Sequence, residues 1–337
     1  MELRLFEIRM MVHEGCYVFL TAPFIKGSHG CRTLAITLSI RKTPVTPRTL
    51  LHRLSHWERL NFLLTNRIPR RWATLLMGRF SRIRHPWVRR ASISIWQFFA
   101  GDLHLEEAWK TEFESMHDCF IRSLRPGMRP VDTDPTALVS PCDGIVGAMG
   151  RINETEVFQA KGYPYDLAEL LDDDMLAARY RNGSFLTLRI TASMYHRFHA
   201  PDACRLREVR YISGDTWNVN PVALKRVEKL FCRNERAILE LELPPAAPGG
   251  DPTRILLVPV AAILVASIRL HALAYPLDLR YSGTNRIPCD EHYERGQEMG
   301  YFEQGSTIIV ITGPELGLNP ALEQGHTLRM GEPILNR

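Results

Sequence analysis

Short apolar runs separated by turn residues fill the sequence after Pro126, and they limit the fold more than any other feature. The runs are rich in Val, Ile, Leu and Phe, while Gly, Pro, Asp and Asn lie between them. Such runs are typical of β-strands, and the candidate strands are residues 138–139, 144–149, 185–191, 207–213, 237–243, 255–268, 306–312 and 330–334. The sequence therefore predicts a β-rich domain with antiparallel sheets over residues 126–337.

The part of the chain before this domain has a helical pattern. From residue 51 to residue 99 apolar residues recur every three or four positions, and Pro69 and Pro86 interrupt the pattern, which predicts two or three short helices. A further amphipathic helix is predicted over residues 105–120. Residues 1–50 contain many Gly and Pro breakers, so we interpret them as irregular and assign them no role. The predicted fold class is α+β, with a helical region at 51–125.

The helical region is strongly basic. Residues 61–101 contain neither Asp nor Glu, although the whole chain has a net charge of only +5. Its arginines are interleaved with aromatic residues, namely Arg67, Arg70, Arg71, Arg79, Arg82, Arg84, Arg89 and Arg90 with Trp72, Phe80, Trp87, Trp96, Phe98 and Phe99. One interpretation is a solvated helix face with the aromatic side chains in a core. Helical spacing favours a surface for anionic lipids, and nucleic acid ranks third because no binding motif accompanies the arginines.

No segment of the sequence is predicted to cross a membrane. The longest apolar run, residues 255–268, is 14 residues long, whereas a transmembrane helix needs about 20, so we interpret the run as a buried strand or strand pair. Charged residues at positions 2, 4, 7 and 9 interrupt any signal-peptide core. The seven cysteines form no Cys-x-x-Cys pair, which argues against a disulfide framework and favours a reducing compartment. We expect a protein that lies on a membrane without crossing it.

Three short motifs carry residues with chemical potential. The first holds Asp143 in Ser-Pro-Cys-Asp-Gly, the second holds His196 and His199 in Tyr-His-Arg-Phe-His-Ala-Pro, and the third is Gly305-Ser306-Thr307. Singly, each has an ordinary explanation, because Asp-Gly and Gly-Ser are turn dipeptides and the two histidines lack a third ligand at zinc spacing. No metal is therefore expected. Together the motifs supply an acid, an imidazole and a hydroxyl, the parts of a Ser-His-Asp arrangement.

The residues around Ser306 favour self-cleavage. The Gly-x-Ser-x-Gly motif of hydrolases is absent, since two isoleucines follow Thr307. Gly305 leaves its carbonyl unhindered, so the Ser306 hydroxyl can attack that carbonyl and exchange the amide for an ester. Elimination then breaks the chain, and the dehydroalanine that remains loses ammonia to become a pyruvoyl group. Such a group can accept the electrons that a decarboxylation releases, the task that pyridoxal phosphate performs elsewhere.

At these motifs the sequence resembles the phosphatidylserine decarboxylases of the bacterial and mitochondrial type, which make a pyruvoyl group by self-cleavage. The resemblance runs from about Trp57 to the C-terminus. It rests on the three motifs and on further ordered segments at 125–135, 159–167, 214–221, 230–236 and 296–302. It implies decarboxylation of phosphatidylserine to phosphatidylethanolamine.

The resemblance also implies a role for each site residue. Ser306 is the expected precursor of the pyruvoyl cofactor, and cleavage after Gly305 would divide the chain into residues 1–305 and 306–337. His199 is the expected base that activates Ser306, and Asp143 the acid that orients His199. His196 is expected to act in decarboxylation, by binding the substrate phosphate or by returning a proton.

Partners and location follow from the same resemblance. The substrate is expected to be phosphatidylserine in a membrane surface, among anionic lipids and without nucleic acid. The two cleaved chains would stay together as a heterodimer, and a dimer of these is plausible in this family. A diacyl lipid stays in the bilayer, so we expect a peripheral membrane protein. It would lie on the cytoplasmic face of the cell membrane in a bacterium, or on the mitochondrial inner membrane in a eukaryote.

Several positions depart from the family pattern and keep two other functions open. Gln304 and Met194 replace residue types that are common in the family, and residues 258–268 carry alanines and Pro259 where glycines are usual. Residues 270–288 also differ from the usual continuation. One alternative is a pyruvoyl-dependent decarboxylase of another amine-bearing carboxylate. The other is a non-catalytic lipid-binding relative, against which the intact motif residues argue.

Overall fold

The computed structural model describes residues 3–13, 16–25, 37–42, 70–160, 163–245, 249–263, 267–303 and 306–337. The chain divides into two units, Met1–Asn61 and Phe62–Arg337. In the first unit, strands β1 (Leu3–His13), β2 (Cys16–Ile25) and β3 (Thr37–Lys42) pair in that order as an antiparallel sheet. The expectation of irregular structure over residues 1–50 is wrong for these segments, because most of the glycines stand between the strands and not within them.

Two helices of the basic region have the boundaries that the prolines predict. Helix α1 (Arg70–Ser81) begins directly after Pro69, and Pro86 occupies the first turn of α2 (Pro86–Ala100), where its missing N–H costs no helical hydrogen bond. The rest of the predicted helical stretch, residues 51–69, lies outside the described residues. Of the helices that the structure describes, none is both long and apolar enough to span a bilayer.

The helix predicted over residues 105–120 is wrong. The structure has a single 3-10 turn at Leu105–Glu107 and a five-residue helix, α3 (Met116–Phe120). Between them the backbone N–H of Trp109 donates to the carbonyl of Ser123. This pairing doubles the chain back on itself, so its backbone groups bond across the turn and not along a helix.

The β-rich domain is built on an eight-stranded sheet in which all neighbouring strands are antiparallel. In spatial order the strands are β15 (Arg286–Tyr293), β10 (Cys204–Ile212), β11 (Arg236–Leu243), β12 (Thr253–Ala261), β17 (Ser306–Thr312), β8 (Ser184–Ile190), β5 (Gly144–Arg151) and β19 (Thr327–Leu328). The predicted α+β fold class with antiparallel sheets is confirmed, and the predicted strand boundaries need only small shifts.

Smaller sheets and short helices complete the domain. A four-stranded sheet has the order β14 (Leu277–Asp278), β13 (Ser267–Leu270), β16 (Glu298–Phe302) and β9 (Arg197–His199). A three-stranded sheet contains β18 (Gly317–Leu318), β20 (Pro333–Asn336) and β4 (Ala137–Val139), and a hairpin pairs β6 (Glu156–Ala160) with β7 (Tyr163–Asp166). The helices are α4 (Leu167–Leu171), α5 (Asp174–Arg179), α6 (Pro221–Leu224) and α7 (Leu230–Arg233).

Both faces of the eight-stranded sheet are buried, which explains the long apolar runs. In β12, Ile255 and Leu257 pack in one core with residues of the four-stranded sheet, while Leu256 and Val258 pack in a second core with α4, α5 and α7. A strand that is buried on both faces carries apolar residues without alternation. The run at 255–268 is accordingly a strand pair, with β12 in the large sheet and β13 in the four-stranded one.

Candidate active site

Ser306 begins a central strand of the eight-stranded sheet, as the sequence predicts. Its backbone pairs with Ala261 on β12 and with Ile190 on β8. Gly305, the predicted partner in cleavage, and Gln304 lie outside the described residues. From Thr307 onward β17 is wholly buried, so Ser306 stands at the end of a rigid support.

Asp143 lies in the turn directly before β5, and its side chain is buried. Arg129 donates to it twice, from Nε to Oδ1 at 2.8 Å and from Nη2 to Oδ2 at 2.6 Å, and the backbone N–H of Met330 donates to Oδ1 at 2.9 Å. Arg129 Nη2 also lies 2.9 Å from a carboxylate oxygen of Glu107. The sequence reasoning did not single out Arg129, although it belongs to one of the segments that carry the resemblance.

His199 is buried at the end of β9, and both of its ring nitrogens are engaged. A carbonyl oxygen can only accept, so Nδ1–H donates to the carbonyl of Gly296 at 2.9 Å, and the Tyr195 hydroxyl donates to Nε2 at 3.1 Å. Burial lowers the pKa of His199, which keeps the ring neutral near pH 7. Among the described residues no hydrogen bond joins Asp143 to His199, and Gly296 sets the orientation of the ring. Asp143 and His199 are linked only indirectly among these residues. Arg129 binds Asp143, and its guanidinium carbon lies 5.9 Å from the centre of the ring of Tyr195, which donates to His199.

His196 is fully buried, and one of its ring nitrogens has no partner. Nδ1–H donates to the carbonyl of Met194 at 2.8 Å, which leaves a lone pair on Nε2, and that atom has no hydrogen-bond partner within the described part of the chain. Burial and the nearby charge of Arg122 lower the pKa of His196 to about 3. The ring is therefore neutral and can accept at Nε2. Binding a phosphate oxygen or returning a proton would need a hydrogen on that atom.

Two arginines that the sequence reasoning missed hold the segment that carries both histidines. Arg122 donates to the carbonyls of Ser193 and Met194 at 3.0 and 3.4 Å, while Arg197 donates to the carbonyls of Ile121 and Arg122 at 2.6 and 3.2 Å. Arg122 thus binds the backbone of the histidine segment, and Arg197 binds the backbone at Arg122. Arg197 stands within the histidine motif, whereas only its charge distinguishes Arg122 in the sequence.

Backbone hydrogen bonds bring the three motifs to one region. The N–H of His199 donates to the carbonyl of Pro141, which belongs to the first motif, at 2.8 Å. The carbonyl of His196 accepts the N–H of Phe302 at 3.0 Å, and Phe302 ends the strand that leads to Ser306.

An apolar groove of about 580 Å³ opens beside Ser306. Ile190, which pairs with Ser306, and Ala262, which follows its other partner, belong to the lining. Helices α1, α2 and α3 supply the opposite wall, which includes Phe80, Ile95, Trp96, Phe99, Met116 and Phe120. The groove can hold a long apolar chain, and its wall includes Ile190, the strand partner of Ser306.

Most aromatic side chains of α1 and α2 point to solvent and not into a core. Trp72 is 70% exposed, Trp87 78% and Phe99 65%. The interpretation of this region as a solvated face with core aromatics is therefore wrong for these residues. It holds for Trp96, which is buried with Phe120 and other residues in a small core.

The described residues contain one surface cluster of metal-ligand type. Ligand atoms of Asp102, His104 and Glu106 all lie within 4.8 Å of one another, and all three residues are exposed. None of them belongs to the three motifs. Neither His196 nor His199 belongs to this cluster.

Comparison with known proteins decides the family. The model of the family described as phosphatidylserine decarboxylase matches residues 116–336, a range that contains Asp143, His196, His199 and Ser306. The chain belongs to the phosphatidylserine decarboxylase family. It is accordingly an enzyme of the decarboxylase class, as its sequence motifs predict.

Bacterial members of the family are similar over most of their length. The phosphatidylserine decarboxylase proenzyme of Pseudomonas entomophila (strain L48) is 35% identical over 281 residues, which cover 79% of this chain and 94% of the relative. The proenzyme of Stutzerimonas stutzeri (strain A1501) is 35% identical, covering 74% and 84%. That of Escherichia coli (strain 55989 / EAEC) is 33% identical, covering 79% and 84%. The family model begins at residue 116, so α1 and α2 lie outside the part of the chain that it matches.

Proposed function

We propose that this chain converts phosphatidylserine to phosphatidylethanolamine and carbon dioxide with a pyruvoyl group made from its own Ser306. The position of Ser306 carries the proposal: it begins a buried strand, its partner Ile190 lines an apolar groove, and backbone hydrogen bonds bring its region to a segment with two neutral imidazoles. Relatives named phosphatidylserine decarboxylase support the substrate, and the word proenzyme in those names supports a processed chain.

Self-cleavage uses only groups of the chain and one water molecule. Ser306 Oγ attacks the carbonyl carbon of Gly305, its proton leaves, and the amide becomes an ester. Elimination across the Cα–Cβ bond of residue 306 releases Gly305 as a carboxylate and leaves dehydroalanine, which takes up water and releases ammonia to give the pyruvoyl group. We assign the proton to His199, because a neutral base of lowered pKa can accept it near pH 7.

Asp143 acts in this proposal as a positioning residue. Its carboxylate fixes Arg129, the guanidinium of Arg129 lies over the ring of Tyr195, and the Tyr195 hydroxyl meets Nε2 of His199. The pKa of Tyr195 is raised, chiefly by burial, so its hydroxyl stays protonated and can donate. The hydrogen bond from Tyr195 to Nε2 of His199 has to break before Nε2 can accept the proton of Ser306.

The pyruvoyl group supplies an electron sink for the loss of carbon dioxide. Residue 306 is in a suitable place for such a group, because its backbone is held between β12 and β8 and its partner Ile190 lines the apolar groove. The substrate arrives as an ammonium ion and must lose a proton before its nitrogen can react. The proton passes to water, and Nε2 of His196 can accept a hydrogen bond from the substrate nitrogen, since a neutral ring with Nδ1 donating offers a lone pair there.

The exposed aromatic residues of α1 and α2 support a lipid surface as the site of action. Tryptophan and phenylalanine with neighbouring arginines suit the boundary between anionic headgroups and acyl chains. The groove behind these helices would take an acyl chain of the substrate while its headgroup reaches Ser306. We therefore propose a peripheral membrane protein made of two retained chains, on the cytoplasmic face of the cell membrane as the bacterial relatives suggest.

Intact-mass measurement of the purified protein tests the proposal. We expect two pieces, residues 1–305 and 306–337, with a pyruvoyl group blocking the smaller one. The Ser306→Ala variant should stay whole and release no carbon dioxide from phosphatidylserine vesicles. A single unbroken wild-type chain would favour the non-catalytic relative. Carbon dioxide release from soluble amino acids alone would favour a different substrate.

A further inference from the structure

Arg189 is an isolated charge in the wall of the apolar groove. It is the only charged residue among the described residues that line the groove, and its side chain makes no hydrogen bond or ion pair with any residue in the described part of the chain. The side chain is half-buried, and burial lowers the pKa of its guanidinium. A half-buried cation without a counter-ion destabilises the fold unless something else supplies the partner.

Other buried arginines of the domain show how such a charge is normally satisfied. Arg236 donates to the carbonyls of Leu170, Cys232 and Glu169 at distances of 2.6 to 2.9 Å. Arg129 is paired with the carboxylate of Asp143. Arg189 has no such partner among the described residues, so we expect a ligand of the groove to supply it.

Arg189 lies beside the strand partner of Ser306 in the sequence of β8. Its backbone on β8 pairs with Thr307 on β17, and the next residue, Ile190, pairs with Ser306. In phosphatidylserine only three bonds separate the phosphorus atom from the carbon that loses carbon dioxide. An anion-binding group for this substrate must therefore lie near residue 306, and Arg189 lies in the groove wall one residue before the strand partner of Ser306.

We propose that Arg189 binds the phosphodiester of the substrate headgroup. The inference rests on the proposed function and adds the group that recognises the headgroup. A guanidinium forms two parallel charge-assisted hydrogen bonds with phosphate oxygens, which sets orientation as well as affinity. His196 does not compete for this role, since its Nε2 carries a lone pair and no hydrogen.

The test compares Arg189→Gln with wild type on phosphatidylserine in neutral detergent micelles. We expect normal self-cleavage by intact mass and a value of kcat/KM lowered by roughly 10- to 100-fold, mainly through KM, the range expected for losing hydrogen bonds to a charged group. Arg189→Lys keeps the charge and should recover part of the loss. Arg207→Gln, which removes an exposed arginine on β10, is the matched control for the general loss of charge and should behave as wild type.

Inhibition by soluble anions identifies the ligand chemistry. Glycerophosphoethanolamine and inorganic phosphate should both inhibit wild type and should inhibit Arg189→Gln at least tenfold more weakly. Equal inhibition of both proteins, or an unchanged KM in Arg189→Gln, would overturn the inference. Weaker phosphate inhibition with an unchanged lipid KM would mean that the site binds free phosphate and not the headgroup. If wild type is neither cleaved nor active, the proposed function itself has failed.

Discussion

At the scale of single residues, backbone carbonyl groups fix the tautomer of both histidines of the site. Both donate from Nδ1 to a backbone oxygen, so both offer only a lone pair at Nε2. Nε2 of His199 already accepts from Tyr195, whereas Nε2 of His196 has no partner among the described residues. The same tautomer therefore leaves Nε2 of His199 bonded to Tyr195 and Nε2 of His196 able to accept a hydrogen bond from an incoming molecule.

The lowered pKa of His199 predicts how self-cleavage depends on pH. The base must be neutral, and a pKa below the ordinary value of 6.5 keeps it neutral to more acidic pH. The rate at which newly translated chain is cleaved should stay constant from pH 8 through 6.5 and fall only below it. Fluorescence of the uncleaved Ser306→Ala variant over the same range serves as the control for unfolding. A rate that titrates with a midpoint above 6.5 would contradict the assignment of His199 as the base.

At the scale of elements, the basic helices form part of the site. The rings of Trp96 on α2 and Phe120 on α3 are stacked with centres 5.4 Å apart, and Phe120 in turn lies 3.9 Å from the ring of His196. At the end of α1, Arg82 donates to the carboxylate of Glu303 at 2.6 Å. Glu303 stands three residues before Ser306, so α1 is tied to the segment that leads into the cleavage position.

This ion pair predicts a slower self-cleavage when it is broken. Arg82→Glu or Glu303→Arg should slow cleavage by roughly two- to fivefold, the effect expected of a partly exposed pair, and the double exchange should restore the rate. The pair of Lys229 and Glu169, also 2.6 Å apart, is the matched control, and exchanging its charges should leave cleavage unchanged. Pulse–chase of the translated chain measures the rates. Single variants that cleave at the normal rate would show that the pair has no positioning role.

At the scale of the whole domain, the buried sheet and the exposed apolar side chains of α1 and α2 are separate parts of the molecule. Both faces of the eight-stranded sheet are covered, and its strands carry no large exposed apolar side chain among the residues that the structure describes. The exposed apolar side chains concentrate on α1 and α2. Apolar side chains at this density are unusual on a surface that meets only water, and they support the proposal that this side of the domain binds lipid.

Vesicle binding tests this arrangement. Replacing both Trp72 and Trp87 by Ala should weaken binding to anionic vesicles by tenfold or more, because burying one large apolar side chain stabilises by about 1.5–3 kcal/mol. Trp109→Ala is the matched control, since Trp109 is 63% exposed but lies outside both helices. Sedimentation with vesicles at low and high salt measures the affinity. Equal binding by the Trp109 variant and the double variant would show that α1 and α2 do not form the lipid-binding surface.

Local patterns predicted the long apolar strands of this protein well, and the short elements and the pairing partners poorly. The strands at 306–312 and 255–268 are evident because burial on both faces leaves long apolar runs. The helix expected over 105–120 failed because the hydrogen bond from Trp109 to Ser123 outweighs an amphipathic pattern. Gly296, which holds His199, carries no sequence signal for that task, because every residue has a carbonyl.

The amino-acid sequence alone determined the family, the strand-rich fold and the residues available for chemistry, since motifs and apolar runs are properties of neighbouring positions. Tertiary structure alone decided that most aromatic residues of α1 and α2 face outward, that Arg129 binds the carboxylate of Asp143, and that Arg189 lines a groove with no side-chain partner among the described residues. Burial and hydrogen-bond partners join positions far apart in the chain, and no pattern of neighbouring residues specifies them.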